Sequence, residues 1–309
     1  MKIATTTADF NSYVQASTDI RQILPMLAEC GFKYIDVNFC SAIYENSPLC
    51  GDKWEKWIDD IANEGIKLGL HFVQAHSPDS FYTQSDKSLY RTAMIKRQIE
   101  ACQMLGIPAT VVHCLSRPDI SRADFMERNT EFYRELLETS ERTGVAVYTE
   151  NSCSENSTGY YLVNAEQFHE LNQHIGNHPL FGICWDVGHA NVQKVDQYHE
   201  IVALGSNLKA VHIHDNTGKA DMHQQLYSGN CQYDAIMKGL VDVGYDGYFT
   251  LESYAIPAPY TTMKRRPYTQ NGKVYDKLCM LPLEFKMRAE KLTYDIVKYM
   301  LETYNCFEE

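Results

Sequence analysis

No uninterrupted apolar run in this chain of 309 residues approaches the roughly 20 residues that a bilayer-spanning helix needs. The opening Met1-Lys2-Ile3-Ala4-Thr5-Thr6-Thr7 has no apolar stretch of secretory length behind its charge, so it reads as a strand rather than a signal peptide. A basic excess is missing too. Lysine and arginine number 28 against 40 aspartates and glutamates, a formal net charge of −12, which disfavours general attraction to nucleic acid or an anionic membrane. Nor does any run of basic and aromatic residues suit the tracking of a nucleic-acid backbone. The ten cysteines, Cys30, Cys40, Cys50, Cys114, Cys184 and Cys231 among them, include no Cys-x-x-Cys pair, and several lie inside apolar runs. They read as free thiols in a reducing compartment rather than as a disulfide framework or cysteine-ligated zinc. A soluble, cytoplasmic protein is expected, with no nucleic-acid or membrane partner.

What is present is a rhythm. Ile3 to Thr6 reads as a strand, and Ile20 to Cys30 as a helix ended by Gly31. Tyr34 to Phe39 is a second strand, followed by a helix marked by Trp54, Trp57, Ile58 and Ile61 and closed by Gly65. Ile66 to Ala75, Thr110 to Val112, Val145 to Thr149, Phe181 to Trp185, Leu208 to Val211 and Tyr248 to Leu251 read as further strands. Helices are expected over Tyr90 to Leu105, Phe125 to Thr143, Ala165 to His174, Tyr198 to Leu204, Tyr233 to Val243 and Leu283 to Leu301. Strict alternation of eight such pairs implies an α/β chain closed as a (β/α)8 barrel, one domain over 1–309 with no competing boundary. The one long irregular segment, Ser253 to Pro282, is too long for an ordinary connection and is expected to be a functional loop, an oligomer contact or an insertion. Its Lys264-Arg265-Arg266, beside Tyr260 and Tyr268, reads as a solvated charge cluster, and the chain as a homo-oligomer.

Six consecutive strands end in a residue type that ligates metals: His76, His113, Glu150, Asp186, His212 and Glu252. Any one alone could be a core histidine or a helix cap. In a parallel barrel all six open on the same face, so together they point to a metal site. Glu150, Asp186, His212 and Glu252 make an oxygen-dominated set with one nitrogen, suited to Mn2+, Mg2+ or Co2+, with Zn2+ also admitted.

The stretches Tyr148-Thr149-Glu150-Asn151, Trp185-Asp186-Val187-Gly188-His189, Val211-His212-Ile213-His214-Asp215-Asn216, Asp221-Met222-His223 and Gly247 to Glu252 resemble the xylose isomerase-like TIM-barrel superfamily. That group holds sugar and sugar-phosphate isomerases and epimerases, inosose dehydratases and endonuclease IV. For the epimerase branch the resemblance implies that Glu150, Asp186, His212 and Glu252 hold one divalent metal while His189 hydrogen-bonds the substrate. A metal chelated by a ketose carbonyl and the adjacent hydroxyl acidifies the carbon proton between them, and Glu150 and Glu252 are then the natural pair of general base and acid. His76, His113, His189 and His214 are expected to bind the sugar or sugar phosphate. His189, Asp221 and His223 are set as a second metal position or as residues supporting the first.

The endonuclease IV pattern of nine ligands is also matched residue by residue, by His76, His113, Glu150, Asp186, His189, His212, Asp221, His223 and Glu252. The acidic balance argues against a DNA-binding surface and favours the sugar reading. A dehydratase stays open, since proton abstraction beside a carbonyl can end in water loss, as does a partner-dependent barrel that binds sugar without turning it over. His71 is expected to pack, Asp215 to be an orienting acceptor or a turn residue, and His169, His174, His178 and His199 to lie on the surface.

Overall fold

A computed structural model of the chain describes residues 1–44, 47–153, 162–255, 268–275 and 282–309. Eight parallel strands close into a barrel in sequential order: β1 (Lys2–Thr6), β2 (Tyr34–Asn38), β3 (His71–His76), β4 (Ala109–Val112), β5 (Ala146–Glu150), β6 (Phe181–Asp186), β7 (Leu208–Ile213) and β8 (Tyr248–Leu251). Closure is made by β1 on β8, with Ile3 opposite Phe249 and Thr5 opposite Leu251. The outer ring contains α1 (Ile20–Glu29), α2 (Trp54–Leu68), α3 (Asp86–Leu105), α4 (Arg122–Thr143), α5 (Ala165–Ile175), α6 (Val187–Gln193), α7 (Gln197–Leu204), α8 (Tyr233–Asp242) and α9 (Leu283–Thr303). Among the described residues no helix is long and apolar enough to cross a membrane. The nine cysteines there are free.

Each strand faces two ways, and β6 makes the consequence plain. All six of its residues are buried, which is the signature of a barrel strand covered on both faces. Trp185 turns into the helical layer, edge-on to Phe168, and donates its indole N–H to Gln197 Oε1 at 3.3 Å. Removing that ring from water stabilises the fold by about 4–6 kcal/mol at most. A slip of one residue would exchange Trp185 for Asp186, so the burial of the ring fixes the acid on the barrel side. Two residues before the strand-end donors, the same alternation places Val111, Tyr148, Cys184 and Ala210, which form a small apolar cluster of their own. The polar ends therefore rest on a dry layer.

The second helix runs further than the sequence pattern predicts. It continues past Gly65 to Leu68 and is capped by Gly69 in the left-handed region, so β3 begins at His71 instead of Ile66. Gly65 is a packing glycine: a Cβ there would lie 2.6 Å from the Phe72 ring. Ile66, whose apolar character suggested a strand, is 77 % exposed on the helix. The short α6 has no counterpart in the sequence reading, and Asp186 is its N-cap. Of the long segment after β8, Tyr268–Gln270 and Lys273–Tyr275 pair as an antiparallel hairpin (β9 and β10). Tyr260 and Lys264-Arg265-Arg266 lie outside the described residues.

Candidate metal centre and active site

The carboxyl ends of β3 to β8 bring all six strand-end residues to one mouth, as the alternation requires. Glu150 is the hub. Its Oε1 lies 2.6 Å from His212 Nδ1, and its Oε2 lies 2.7 Å from His113 Nε2 and 3.6 Å from His76 Nε2. Glu252, just beyond β8, places Oε1 3.6 Å from the same His212 Nδ1, so two carboxylates from separate strands address one ring nitrogen. The far nitrogen of that ring sits 2.8 Å from Gln74 Nε2 and 4.0 Å from Asp36 Oδ2.

Asp186 serves a second group. Its Oδ1 accepts the His189 backbone N–H at 2.6 Å, capping α6, and its Oδ2 lies 3.2 Å from His214 Nε2. The cap reading and the ligand reading of this acid thus describe its two different oxygens. Asn151 fixes the strand end from the side, accepting from Asp186 N at 2.6 Å and donating to Asp186 O at 2.8 Å. The WDVGH glycine is required by contact: a Cβ on Gly188 would lie 1.9 Å from the His214 ring. His189 Nδ1 is 2.7 Å from Asn151 O, and its Nε2 is 3.5 Å from Asp221 Oδ2, which in turn sits 2.9 Å from His223 Nε2. The His214 and His223 rings stack at 4.0 Å, and Tyr254 covers His223 at 4.3 Å.

Potential ligand atoms lie within 4.8 Å of one another in four overlapping sets: His76, Glu150 and His212; Asp36, His212 and Glu252; Glu150, Asp186 and His189; and His189, His214, Asp221 and His223. Of the quartet expected from the sequence, Glu150, His212 and Glu252 converge directly, and Asp186 joins through Glu150. His76 and His113 stand against Glu150. His189, Asp221 and His223 assemble around His214 and not around His212. His71 stacks on Tyr34 at the far end of β3. Asp215 accepts from Asn216 N, Gly229 N and Cys231 N, an orienting role as expected.

The sequence reading missed Asp36, Gln74, Cys40 and Asp79. Asp36 is fully buried in β2, where Ile35 pairs with Phe72 but Asp36 with Gln74, an irregularity that sets the acid beside that amide. Its signal was an acid flanked by Ile35 and Val37 in an apolar strand. Cys40 Sγ lies 3.3 Å from His76 Nδ1, and Asp79 Oδ1 2.6 Å from His113 Nδ1. Cys40 follows the second strand closely, a signal that its reading as a free thiol hides, whereas Asp79 lies in the loop after β3.

Burial raises the Asp36 carboxyl to about 6 despite the pull of His212. Burial opposes ionisation of Glu150 as well, but His212, His113 and His76 hold it well below the usual carboxylate range. Burial would depress His189 and His214, yet Asp186 raises both above the ordinary imidazole value. Asp36, Glu150, Asp186 and Glu252 all take histidines as ionic partners, and among the described residues no lysine or arginine pairs with any of them. Buried carboxylates without a fixed cation are costly. Asp36 Oδ1 and His214 Nδ1 are in addition buried with no hydrogen-bond partner. Carboxylate and imidazole donors converging with unspent lone pairs fit a divalent cation.

The family model of the xylose isomerase-like TIM barrel matches residues 24–270. The Methanocaldococcus jannaschii protein MJ1311 is 27 % identical over 164 residues, 52 % of this chain and 55 % of the relative, so the match spans about half that relative's length. A ketose 3-epimerase from Arthrobacter globiformis is 31 % identical over 80 residues, 26 % of each chain. The crystal structure of a D-tagatose 3-epimerase-like protein has a TM-score of 0.72 at 20 % identity, covering 99 % of this chain and 98 % of that one, a likeness of fold.

Proposed function

Because the chain belongs to the xylose isomerase-like TIM-barrel family, we propose that it is a divalent-metal-dependent ketose isomerase or epimerase working by proton transfer through an enediolate. The observation that carries this reading is the approach of Glu150 and Glu252, from β5 and β8, to the same nitrogen of His212 at 2.6 and 3.6 Å. Two carboxylates from separate strands meeting in one buried space are what removal and return of a carbon-bound proton call for. The sequence match to a ketose 3-epimerase supports the choice of substrate class.

Glu150, Asp186, His212 and Glu252 would hold the cation, for which Mn2+, Mg2+ or Co2+ suits the oxygen-rich set. When bound it supplies Lewis-acid polarisation of the ketose oxygens. Glu252 and Glu150 exchange the proton at the carbon between those oxygens. His113, placed between Asp79 and Glu150, orients Glu150 Oε2 and keeps that carboxylate ionised until the proton arrives. His189 and His214 offer donors to the sugar hydroxyls, and Tyr254 stacks on His223 beside them.

Glu150→Gln and Glu252→Gln test the roles: each should lower solvent-deuterium exchange into ketoses by about 10²–10⁴-fold while the chain still folds. Full turnover by either variant sinks the assignment.

The nitrogen-rich set of His189, His214, Asp221 and His223 favours a second reading, a multinuclear phosphodiesterase of the endonuclease IV kind. Zn2+ suits that set best. Metal analysis separates the two: one ion per chain supports the sugar enzyme, whereas two or three ions together with cleavage of abasic-site DNA support the phosphodiesterase.

A further inference from the structure

Beside the donor set opens a cavity of about 570 Å³ whose walls include Asp79, Arg91, His113, Arg117, Cys153 and Asp221. That size lies within the range of small-molecule sites. The arginines are unusual company in a chain with a net charge of −12. Arg91 reaches from α3, lies 4.2 Å over the Phe81 ring and donates to the Asp79 carbonyl at 2.9 Å. Arg117, on the loop after β4, lies 4.8 Å over the Tyr82 ring, while Arg128 holds the Tyr82 carbonyl at 3.3 Å. Both guanidinium groups are therefore supported on aromatic faces, which leaves N–H groups for a ligand.

The acids in the same wall are already engaged. Asp79 lies 2.6 Å from His113, and Asp221 lies 2.9 Å from His223 and 3.5 Å from His189. Among the described residues neither Arg91 nor Arg117 is ion-paired with a carboxylate. Arg91 is near enough to Asp79 to act on its charge, yet neither guanidinium is in salt-bridge contact with a carboxylate of the wall, so both keep N–H groups for an oxyanion. The arginine side joins the chemistry through a short path, from Arg91 to the Asp79 main chain, from the Asp79 side chain to His113, and from His113 to Glu150 at 2.7 Å. A group held by the arginines would sit along the cavity from the atoms that Glu150 faces.

We propose that Arg91 and Arg117 bind an anionic substituent of the substrate, a phosphate or a carboxylate carried on the sugar away from the reacting carbon. This rests on the ketose reading for its choice of sugar, but not for the anion site itself. A planar guanidinium matches either oxyanion through paired N–H groups, and two of them in one wall discriminate against an uncharged sugar. The substrate class is then a ketose phosphate or a keto sugar acid rather than a free ketose.

The metal-loaded full chain is assayed for deuterium exchange on matched free ketoses, ketose phosphates and keto sugar acids, beside Arg117→Ala and Arg91→Gln. The wild type should prefer one anionic class in kcat/KM, and each variant should lose at least about tenfold of that preference, chiefly through KM. Which anionic class is preferred identifies the group. Inorganic phosphate alone gives the second readout: it should raise the melting temperature of the wild type, and this rise should shrink in Arg117→Ala, whose exposed loop position makes misfolding a small concern. Equal kcat/KM for free and anionic sugars in wild type and variants overturns the proposal while leaving the epimerase reading standing. A phosphate effect that persists unchanged in a chain carrying both substitutions overturns it as well. Failure of every sugar to exchange deuterium, with a phosphate effect that depends on the arginines, would retain the anion site and remove the ketose chemistry.

Discussion

Two buried ionic clusters in this molecule solve the same problem differently. At the barrel mouth, Glu150, Asp186 and Asp36 are at most 1 % exposed and, among the described residues, form ion pairs with histidines alone. Near the start of the chain, Asp9 and Glu290 are at most 3 % exposed and share Lys286, itself 1 % exposed. The Lys286 ammonium contacts Glu290 Oε1, donates to the Tyr254 carbonyl at 3.2 Å and lies 5.6 Å from the centre of the Phe10 ring. One cluster contains its cation as a covalent part of the chain. The other is built from groups that also ligate metals, and in the proposed enzyme its cation is acquired. A structural cluster gains nothing from an exchangeable charge, whereas a site that must admit substrate oxygens beside the charge does.

Removing the built-in cation is the largest expected effect. Lys286→Met leaves Asp9 and Glu290 buried without compensation and should cost about 3–5 kcal/mol, read as a drop in the urea midpoint. Replacing all three, as Asp9→Asn, Lys286→Met and Glu290→Gln, should recover most of that loss, because a neutral cluster has no charge left to solvate. A single Lys286→Met variant within about 0.5 kcal/mol of wild type would break the contrast, since the lysine would then not be the compensating charge.

The acquired cation should matter less to stability, because it is bound only as tightly as its concentration allows. At a free metal concentration of about 100 times Kd it adds about 2.7 kcal/mol, so dialysis against a chelator should lower the melting temperature by roughly 5 °C. Adding Mn2+ back should restore it. The same metal-dependent change should be seen in Lys286→Met, because Glu252 is the least of the influences on Asp9 and the rest come from within the lysine cluster. A Lys286→Met chain whose metal response vanished would show the two clusters coupled, through the Tyr254 main chain that Lys286 holds just after Glu252.

Much of the mouth was legible because period two and strand polarity leave a residue-level trace. Glu150, Asp186, His212 and Glu252 each close an apolar run, and a parallel barrel sends every such end to one face. Asp36 left a fainter trace: it lies within its strand, and only its apolar neighbours Ile35 and Val37 betray a buried acid. The division into an inner group around Glu150 and an outer one around His214 was illegible, since it depends on how the loops carrying Asp221 and His223 fold back over the barrel. Gly65 and Gly69 were confused because both follow helical spacing, and only the Phe72 ring reveals which of them packs and which caps. The Lys286 cluster was hidden for another reason. Its lysine and Glu290 stand four apart on a helix, the spacing of an ordinary solvent-exposed pair.

The smallest expected effects concern pH, and there Asp79 at the mouth and Asp9 in the lysine cluster should differ in sign. Burial raises the Asp79 carboxyl, but His113 overrides it and lowers the group to about 2. Its folded value is below its unfolded value of about 3.9, so the stability it contributes is present above that pH and is lost as pH falls toward 2. Asp9 is the reverse case. Burial, then Glu290, raise it well above the ordinary value against the pull of Lys286, so the folded chain holds a proton there that the unfolded chain has released. Its favourable contribution is complete below about pH 4 and declines as pH rises through the folded value. In metal-stripped protein, Asp79→Asn should therefore flatten the acid limb of the stability curve. Asp9→Asn should flatten the decline above pH 4 and raise stability at pH 7. Denaturant midpoints across pH 3 to 8 measure both, and curves that changed on the same limb would remove the distinction between an acid that His113 holds charged and one that burial keeps protonated.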